Sequence, residues 1–435
     1  MNRKLVQQFH LALLVIFLVA VGTRLIYYQA ARLGTLDNPD TPGYVGLAES
    51  LNVAFSYSTD SSAGAPGGFP TDLVRPPGYP VFLSLINPSS KIDYIWTALV
   101  QSILGGLFSI VLTLLVGRLI DSSTGLTAGI FYAVDWITIL HTPILTADLL
   151  YSIALTLAIF AYAFYLQKQR VSFALIAGLV LGIAAIVKPA AQLHLLTFFL
   201  VWAFQPKRRW SGLAFLLTYL LFVTPWMLRN YHRHELFTLS TIPIVSTYFY
   251  NAVAANHDIS GKELDFKMSA LDNEWKKKTL SAPERARQMN KESWRMIRRN
   301  WLVALKQALV GFARTSFGTG RETMLTTIGI KGRGISPIWH TFLPLTGIIL
   351  FWGVAIVGVR ELLRQRCVRR ALPVLFVIAV IIALLPSAGP MGYSRFRVHA
   401  MPILCFLAAS GAKYIYGLLV NRLWQTKRPD LITVQ

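Results

Sequence analysis

The chain has 435 residues, of which 54% are apolar and only 14% are charged, and its formal net charge at pH 7 is +22. Soluble domains carry about a quarter charged residues, so this composition excludes an ordinary soluble enzyme. Apolar runs long enough to cross a bilayer, roughly 20 helical residues, recur along almost the whole chain. We therefore predict an all-α polytopic membrane protein, in which the two cysteines, Cys367 and Cys405, provide no disulfide framework.

Ten transmembrane helices are predicted from the apolar runs. The first, from Phe9 to Tyr28, is not followed by a small-residue cleavage site, so we interpret it as a retained anchor rather than a removed signal peptide. The ten spans are expected near residues 9–28, 94–116, 124–141, 148–166, 172–187, 190–204, 211–228, 338–359, 371–386 and 398–420.

The distribution of positive charge predicts the orientation of these spans. The short connections on one side all carry basic residues, namely Arg3, Lys4, Arg118, Lys168, Arg170, 207–209, 360–370, Arg422, Lys427 and Arg428. Short basic loops remain in the cytoplasm, so both termini are predicted to be cytoplasmic and the number of spans even. Two long segments, residues 29–93 and 229–337, then face outward, and we expect the function there.

The second long segment is itself basic, with 18 Lys and Arg against 9 Asp and Glu between Arg229 and Pro337. Two interpretations stay open, a surface attracted to anionic lipid headgroups and a cradle for a phosphate-bearing substrate. The spacing of apolar residues predicts an amphipathic helix in the membrane interface, formed by Trp294, Ile297, Trp301, Leu305 and Leu309. Membrane lipids are thus expected partners, whereas nucleic acid is not, because an outward loop between membrane helices has none in reach.

Asp40, in the first long segment, is the main catalytic candidate. Asp40 or Thr41 is placed to cap a short helix running through Leu51, with Pro42 in its first turn. A carboxylate just beyond the first span is also what a membrane enzyme needs to take a proton from an acceptor hydroxyl. The two roles are compatible.

Asp148 is the second candidate acid, at the outer end of an otherwise uncharged span. An ionisable group within a span is costly and indicates function by default. A carboxylate in the first turn of a helix is also favoured by the helix dipole, so a purely structural role stays open. Asp135, within the third predicted span, is a further candidate.

Several cations are expected at the same depth as these acids. They are Lys188 before Pro189, Arg229 before Asn230, and the pair Arg395 and Arg397. Each is able to extend to lipid headgroups, but a mixed set of Lys and Arg also suits one phosphate group. His232 and His234 flank Arg233 and form only a weak metal-binding pattern.

Taken in order, these motifs resemble the GT-C membrane glycosyltransferases of the protein O-mannosyltransferase and lipid A aminoarabinose transferase type. The resemblance covers most of the chain. It is carried by Asp40, Tyr44, Ala48 and Leu51, by Arg75-Pro-Pro-Gly-Tyr79-Pro80, by Asp148, by Lys188-Pro189, by Pro225-Trp226 with Arg229-Asn230, and by Arg395-Phe-Arg397.

The resemblance implies transfer of a sugar from a polyprenyl-phosphate donor, by inverting displacement, to a lipid, glycan or protein acceptor on the outer face. Asp40 is then expected to be the general base, and Asp148 to orient the acceptor or hold a divalent cation. The expected substrate-binding residues are Tyr44, Arg75, Tyr79, Lys188, Arg229, Arg395 and Arg397. Some relatives have two adjacent acids where Thr41 follows Asp40 here, so dependence on a divalent metal ion stays open. The candidate metal ligands are Asp148 and His232.

Three other classes remain open at this point, and the first is a non-catalytic scaffold, which would tolerate loss of both carboxylates. A transporter or flippase for a lipid-linked sugar often shows inverted repeats and broken helices near the midplane, and no repeat is found here. An outer-face glycan polymerase or ligase also uses a basic outer loop, but does not require an acid such as Asp40. By analogy, the compact chain favours a bacterial inner membrane.

Overall fold

The computed structural model describes residues 3–31, 38–59, 65–203, 209–260, 262–329, 341–364, 371–385 and 392–426. All regular elements in these ranges are helical, which confirms the predicted fold class. The α-helices are α1 (Arg3–Ala31), α2 (Thr41–Ala54), α3 (Thr71–Val74), α4 (Gly78–Ile86), α5 (Tyr94–Leu119), α6 (Ser122–Ala133), α7 (Trp136–His141), α8 (Asp148–Lys168), α9 (Val171–Val187), α10 (His194–Ala203), α11 (Arg209–His234), α12 (Ile242–Ser246), α13 (Val253–His257), α14 (Lys262–Lys277), α15 (Ala282–Arg299), α16 (Trp301–Phe317), α17 (Arg321–Thr327), α18 (Leu343–Arg364), α19 (Ala371–Leu384) and α20 (Met401–Thr426).

Six of the described helices are long and apolar enough to cross a bilayer, namely α1, α5, α8, α11, α18 and α20. Three shorter apolar helical stretches are α9, Pro189–Ala203 and α19. Each predicted span overlaps helix in the described ranges, but the count of ten passes stays a prediction. Asp37, Lys207 and Cys367 lie outside the described residues.

The third predicted span is broken rather than continuous. Helix α6 ends at Ala133, and Asp135 caps α7 by accepting a hydrogen bond from the backbone N of Thr138 at 2.8 Å. The fully buried Arg24 of α1 donates from Nη1 to the carbonyl O of Ala133 at 3.2 Å. Asp135 is therefore a cap at a helix break, where its carboxylate and Arg24 satisfy backbone groups that the break leaves open.

The membrane bundle is held together by close helix contacts. Helix α9 packs against α8 and α11, and α18 packs against α20. Where α18 crosses α20, a Cβ atom added to Gly358 would lie 1.8 Å from the carbonyl O of Leu407, and one added to Gly411 would lie 2.0 Å from the carbonyl O of Val354. Small residues allow such close approach between membrane helices.

The two long segments fold onto one another. Phe69 and Leu73, from the first segment, share a hydrophobic core with Val245, Trp275 and Met289 from the second. We call helices α12–α17 the basic module. This shared core holds the loop that follows α2 against the basic module. Residues that are far apart in the chain are thereby brought close together.

The predicted amphipathic helix is in fact two helices, α15 and α16, separated by Asn300 with a non-helical ψ of 40°. A capping box between Ser281 and Glu284 begins α15. The cations of α15 that point outward are Arg287, Lys291, Arg295, Arg298 and Arg299. They are exposed and do not line the cavity described below, so their placement fits a headgroup-facing surface better than a phosphate cradle.

Candidate active site

A cavity of about 160 Å³ lies where the first loop, the end of α9, the basic module and the segment before α20 meet. Five of the residues singled out from the sequence line it, namely Asp40, Tyr44, Arg75, Lys188 and Arg395. They are separated by up to 355 positions in the chain and are brought together by the fold.

Asp40 is held by two arginines. Its Oδ1 accepts a hydrogen bond from Nη2 of Arg75 at 2.8 Å, and its Oδ2 accepts one from Nη2 of Arg395 at 2.9 Å. The Arg75 guanidinium also lies over the ring of Tyr44, with its Cζ 5.0 Å from the ring centroid. The Asp40 side chain retains 25% exposure, so the carboxylate remains within reach of a molecule in the cavity.

The carboxylate of Asp40 does not cap α2, although Asp40 stands at the position before it. The turn into α2 is instead made by Asn38, whose Oδ1 accepts from the backbone N of Asp40 at 3.1 Å. Burial would raise the pKa of Asp40, but the positive charges of Arg75, Arg395 and Lys188 outweigh it and hold that pKa below its usual range. Asp40 is therefore an ionised acceptor.

Asp148 lies behind the cavity wall rather than in it. It is 2% exposed, and its Oδ1 accepts a hydrogen bond from Nζ of Lys188 and lies 2.8 Å from Nε2 of His399. Its Oδ2 accepts from Oγ1 of Thr146 at 2.9 Å. Lys188 and His399 both line the cavity, so Asp148 acts on the site through them.

His399 was not identified from the sequence. It is the last residue of the 3₁₀ helix Ser394–His399, which also contains Arg395. Its ring lies against Tyr151, with centroids 4.7 Å apart, and its Nε2 is 3.2 Å from Nζ of Lys188. The sequence offered one signal for His399, its position four residues after Arg395. The sequence does not show that the segment Ser394–His399 packs against α8.

Gly78 allows the motif of residues 75–80 to pack closely against the end of α9, next to Lys188. A Cβ atom added to Gly78 would lie 2.6 Å from Cγ2 and 2.8 Å from Cα of Val187, the last residue of α9. Only a residue without a side chain allows this approach, so the motif rests directly on the backbone that leads into Lys188.

Replacing Gly78 by Ala is expected to lower the free energy of unfolding by about 1 to 3 kcal/mol, the usual cost of an overpacked site. Thermal unfolding in detergent measures the change. Gly22→Ala is the matched control, because a Cβ atom there meets nothing within 4 Å. Equal stability of the two variants would contradict the proposed close contact.

Three predicted substrate-binding residues lie outside the cavity lining. Arg229 donates from Nη2 to Oδ2 of Asp72 at 2.5 Å, and Arg397 donates from Nη1 to the carbonyl O of Ser316 at 2.6 Å, at the end of α16. The hydroxyl of Tyr79 donates to Gln101 at 2.9 Å. These residues fix the elements around the cavity and do not face its interior.

The residues present do not fit a divalent cation in this cavity. Both oxygens of Asp40 and both of Asp148 already face positively charged or hydrogen-bonding groups. His232 is exposed on α11, and His234 lies 3.0 Å from Asp72. Across the described ranges, no three His, Cys, Asp or Glu side chains are grouped as metal ligands would be.

The cavity does fit an anion. Arg75, Arg395 and Lys188 supply three positive charges against the two carboxylates, which leaves a positive surplus. Nε of Arg395 is buried and makes no hydrogen bond to any described residue. A buried donor without an acceptor costs free energy, which an oxygen atom of a bound ligand would recover. Guanidinium and ammonium groups are well suited to phosphate oxygens.

Comparison with known proteins relates part of the chain to one protein family. Residues 74–229 match the family model of the dolichyl-phosphate-mannose-protein mannosyltransferases. No curated protein sequence matches the chain significantly. The family match covers about a third of the chain and includes Arg75, Asp148 and Lys188, but not Asp40 or Arg395.

The fold is similar to that of the oligosaccharyltransferase AglB from Archaeoglobus fulgidus. The structure of AglB with an inhibitory peptide and a dolichol-phosphate matches 100% of this chain and 53% of AglB, with 12% identity and a TM-score of 0.59. The same oligosaccharyltransferase tethered to an acceptor peptide matches 97% and 51%, with 14% identity and a TM-score of 0.57. The chain thus spans about half the length of this protein.

ArnT from Cupriavidus metallidurans, solved with undecaprenyl phosphate, matches 95% of this chain and 78% of ArnT at 13% identity. The TM-score of 0.38 is too low for this likeness to support an argument. The family match and the AglB fold confirm the predicted resemblance to the GT-C membrane glycosyltransferases.

Proposed function

We propose that this protein transfers a sugar from a polyprenyl-phosphate donor to an acceptor hydroxyl, on the membrane face opposite the basic connections. The observation that carries the proposal is the placement of Asp40 in the wall of one cavity with Arg75, Arg395 and Lys188. A base and a phosphate-binding set are the two parts that this reaction requires, and here they are adjacent.

In the proposed reaction, the acceptor oxygen attacks the anomeric carbon of the donor sugar. The bond from that carbon to the phosphate oxygen breaks, and polyprenyl phosphate leaves with the electron pair. The acceptor proton passes to Asp40. Arg75, Arg395 and Lys188 stabilise the negative charge that grows on the leaving phosphate, an effect that usually contributes more than any other to such catalysis.

Donor binding is expected to activate Asp40. In the free protein, Arg75 and Arg395 each hold one oxygen of Asp40 and lower its pKa, which makes it a weak base. A phosphate in the cavity competes for the same guanidinium groups. When the arginines turn toward the phosphate, Asp40 loses part of its positive surroundings and becomes more basic as the acceptor arrives.

Asp148 is assigned a positioning role in this reaction. It is too deeply buried to touch either substrate, and it fixes Lys188 and His399 at the cavity wall. The sequence-based alternative, in which Asp148 orients the acceptor directly, requires an exposed carboxylate. Its geometry favours control of the Lys188 ammonium group instead.

The first test is sugar transfer by the purified protein in nanodiscs, supplied with a panel of polyprenyl-phosphate sugars and candidate acceptors. Release of polyprenyl phosphate together with glycosylated acceptor is the expected result. If the protein moves lipid-linked sugars between vesicle leaflets and releases no polyprenyl phosphate, the transporter alternative replaces the proposal.

The phosphate assignment is tested by Arg395→Met, with Arg321→Met as control because Arg321 is about half exposed and does not line the cavity. A hydrogen bond to a charged group contributes about 1.5 to 3 kcal/mol. Arg395→Met is therefore expected to weaken polyprenyl phosphate binding at least about tenfold, and the control to leave it unchanged. Equal affinities in both variants would place the phosphate elsewhere.

A further inference from the structure

Two tyrosines stand at the cavity beside Asp40, and the reaction described above gives them no role. Tyr250 belongs to the π-helical turn Thr247–Ala252 of the basic module, and Tyr393 immediately precedes the 3₁₀ helix Ser394–His399. Both line the cavity. Each lies close enough to Asp40 and Arg395 to interact electrostatically with both, and the two tyrosines also interact with one another.

The side-chain hydroxyls of Tyr250 and Tyr393 have no hydrogen-bond partner among the described residues. Only the backbone of these residues is used, as where the carbonyl O of Tyr393 accepts a hydrogen bond from the backbone N of Phe396 at 3.1 Å. By contrast, Tyr57 donates to the carbonyl O of Arg75 at 2.8 Å, and Tyr79 donates to Gln101. Tyr250 is partly accessible and Tyr393 is 39% exposed, and both line the cavity, so both side chains are placed to contact a ligand.

The local backbone directs Tyr250 toward this position. A π-helical turn is a rare departure from the α-helix and is found mostly at functional sites. Here the turn lies between α12 and α13, and Val245, Ser246 and Tyr250 around it all line the cavity. The π-helical turn thus places one side of the basic module at the cavity that Asp40 also lines.

We infer that Tyr250 and Tyr393 recognise the sugar of the donor, an inference that rests on the proposed function. Asp40 must lie near the anomeric carbon when it accepts the proton, so the sugar ring lies beside Asp40. Tyr44 also interacts with Asp40 but is 5% exposed beneath Arg75. The rings of Tyr250 and Tyr393 are the accessible aromatic surfaces for the apolar C–H face of a sugar, and their hydroxyls are hydrogen-bonding partners for its hydroxyl groups.

The test compares binding of a polyprenyl-phosphate sugar with binding of bare polyprenyl phosphate, for the wild type and for Tyr250→Leu and Tyr393→Leu. Loss of one aromatic contact is expected to weaken binding of the sugar-bearing lipid by about tenfold, with binding of the bare lipid unchanged. Tyr250→Phe and Tyr393→Phe keep the rings and should lose less. Tyr231→Leu is the control, because Tyr231 is 53% exposed on α11 and does not line the cavity.

The outcomes separate this inference from the proposed function. If wild type binds the bare lipid and the leucine variants weaken both lipids equally, or neither, the tyrosines do not recognise the sugar and the phosphate site stands. If wild type binds neither lipid, the proposed function and the role assigned to Tyr250 and Tyr393 are both wrong.

Discussion

Replacing Asp40 by Asn is expected to lower the rate of sugar transfer by about 100-fold to 10,000-fold, the contribution of a positioned base. Asn has nearly the same shape as Asp but is not basic. Because the Asp40 side chain makes no capping hydrogen bond to α2, the substitution does not remove a helix cap. It does remove the charge that faces Arg75 and Arg395, so the fold of the variant must be checked by thermal unfolding.

The matched control for this prediction is Asp258→Asn. Asp258 is also an ion-paired aspartate, 3.0 Å from Nζ of Lys306, but its side chain is 48% exposed and does not line the cavity. Its replacement should leave the transfer rate within about threefold of the wild type, a change below about 0.7 kcal/mol in the barrier. An active, folded Asp40→Asn variant would show that the proton goes elsewhere, and the assignment of Asp40 would be withdrawn.

The Asp40→Asn variant also tests where the phosphate of the donor binds. With the carboxylate gone, Arg75 and Arg395 have no competing anion, so polyprenyl phosphate should bind more tightly to Asp40→Asn than to wild type. Tighter product binding with slower transfer is a combination that simple misfolding does not produce. Weaker binding would instead indicate that Asp40 holds the two arginines in place.

Part of the grouping of the cavity residues could be predicted from the sequence. Polar residues at the ends of apolar runs must lie near an interface, and alternating spans bring every second end to the same side. That reasoning placed Asp40, Asp148, Lys188, Arg229 and Arg395 in one layer. Asp40, Lys188 and Arg395 line one cavity, whereas Asp148 lies behind its wall and Arg229 pairs with Asp72. Whether two of these side chains touch depends on helix packing, which periodicity alone does not reveal.

The same reasoning could not separate Arg395 from Arg397. Both stand in one 3₁₀ helix, where three residues complete a turn, so residues two apart point in different directions. Arg395 faces Asp40, whereas Arg397 binds carbonyl groups at the end of α16. Asp72, which holds Arg229, was missed because it lies in a four-residue helix within a stretch rich in Gly and Pro.

Replacing Lys188 by Met is expected to be the most disruptive single change at the site. It leaves Asp148, which is 2% exposed, without its ammonium partner, and breaking a buried ion pair costs about 3 to 5 kcal/mol. Thermal unfolding in detergent should show this loss. Sugar transfer should fall as well, because Lys188 is one of the three cations at the cavity.

The double variant Lys188→Met, Asp148→Asn separates the two roles of Lys188. Removing both charges leaves no unpaired ion, so most of the lost stability should return. Transfer should not return, because the phosphate-facing cation is still missing while Asp40, Arg75 and Arg395 are intact. Recovery of both properties would mean that Lys188 only balances Asp148, and the phosphate site would then consist of the two arginines. Recovery of stability alone assigns Asp148 to holding the lysine in place and Lys188 to the leaving phosphate.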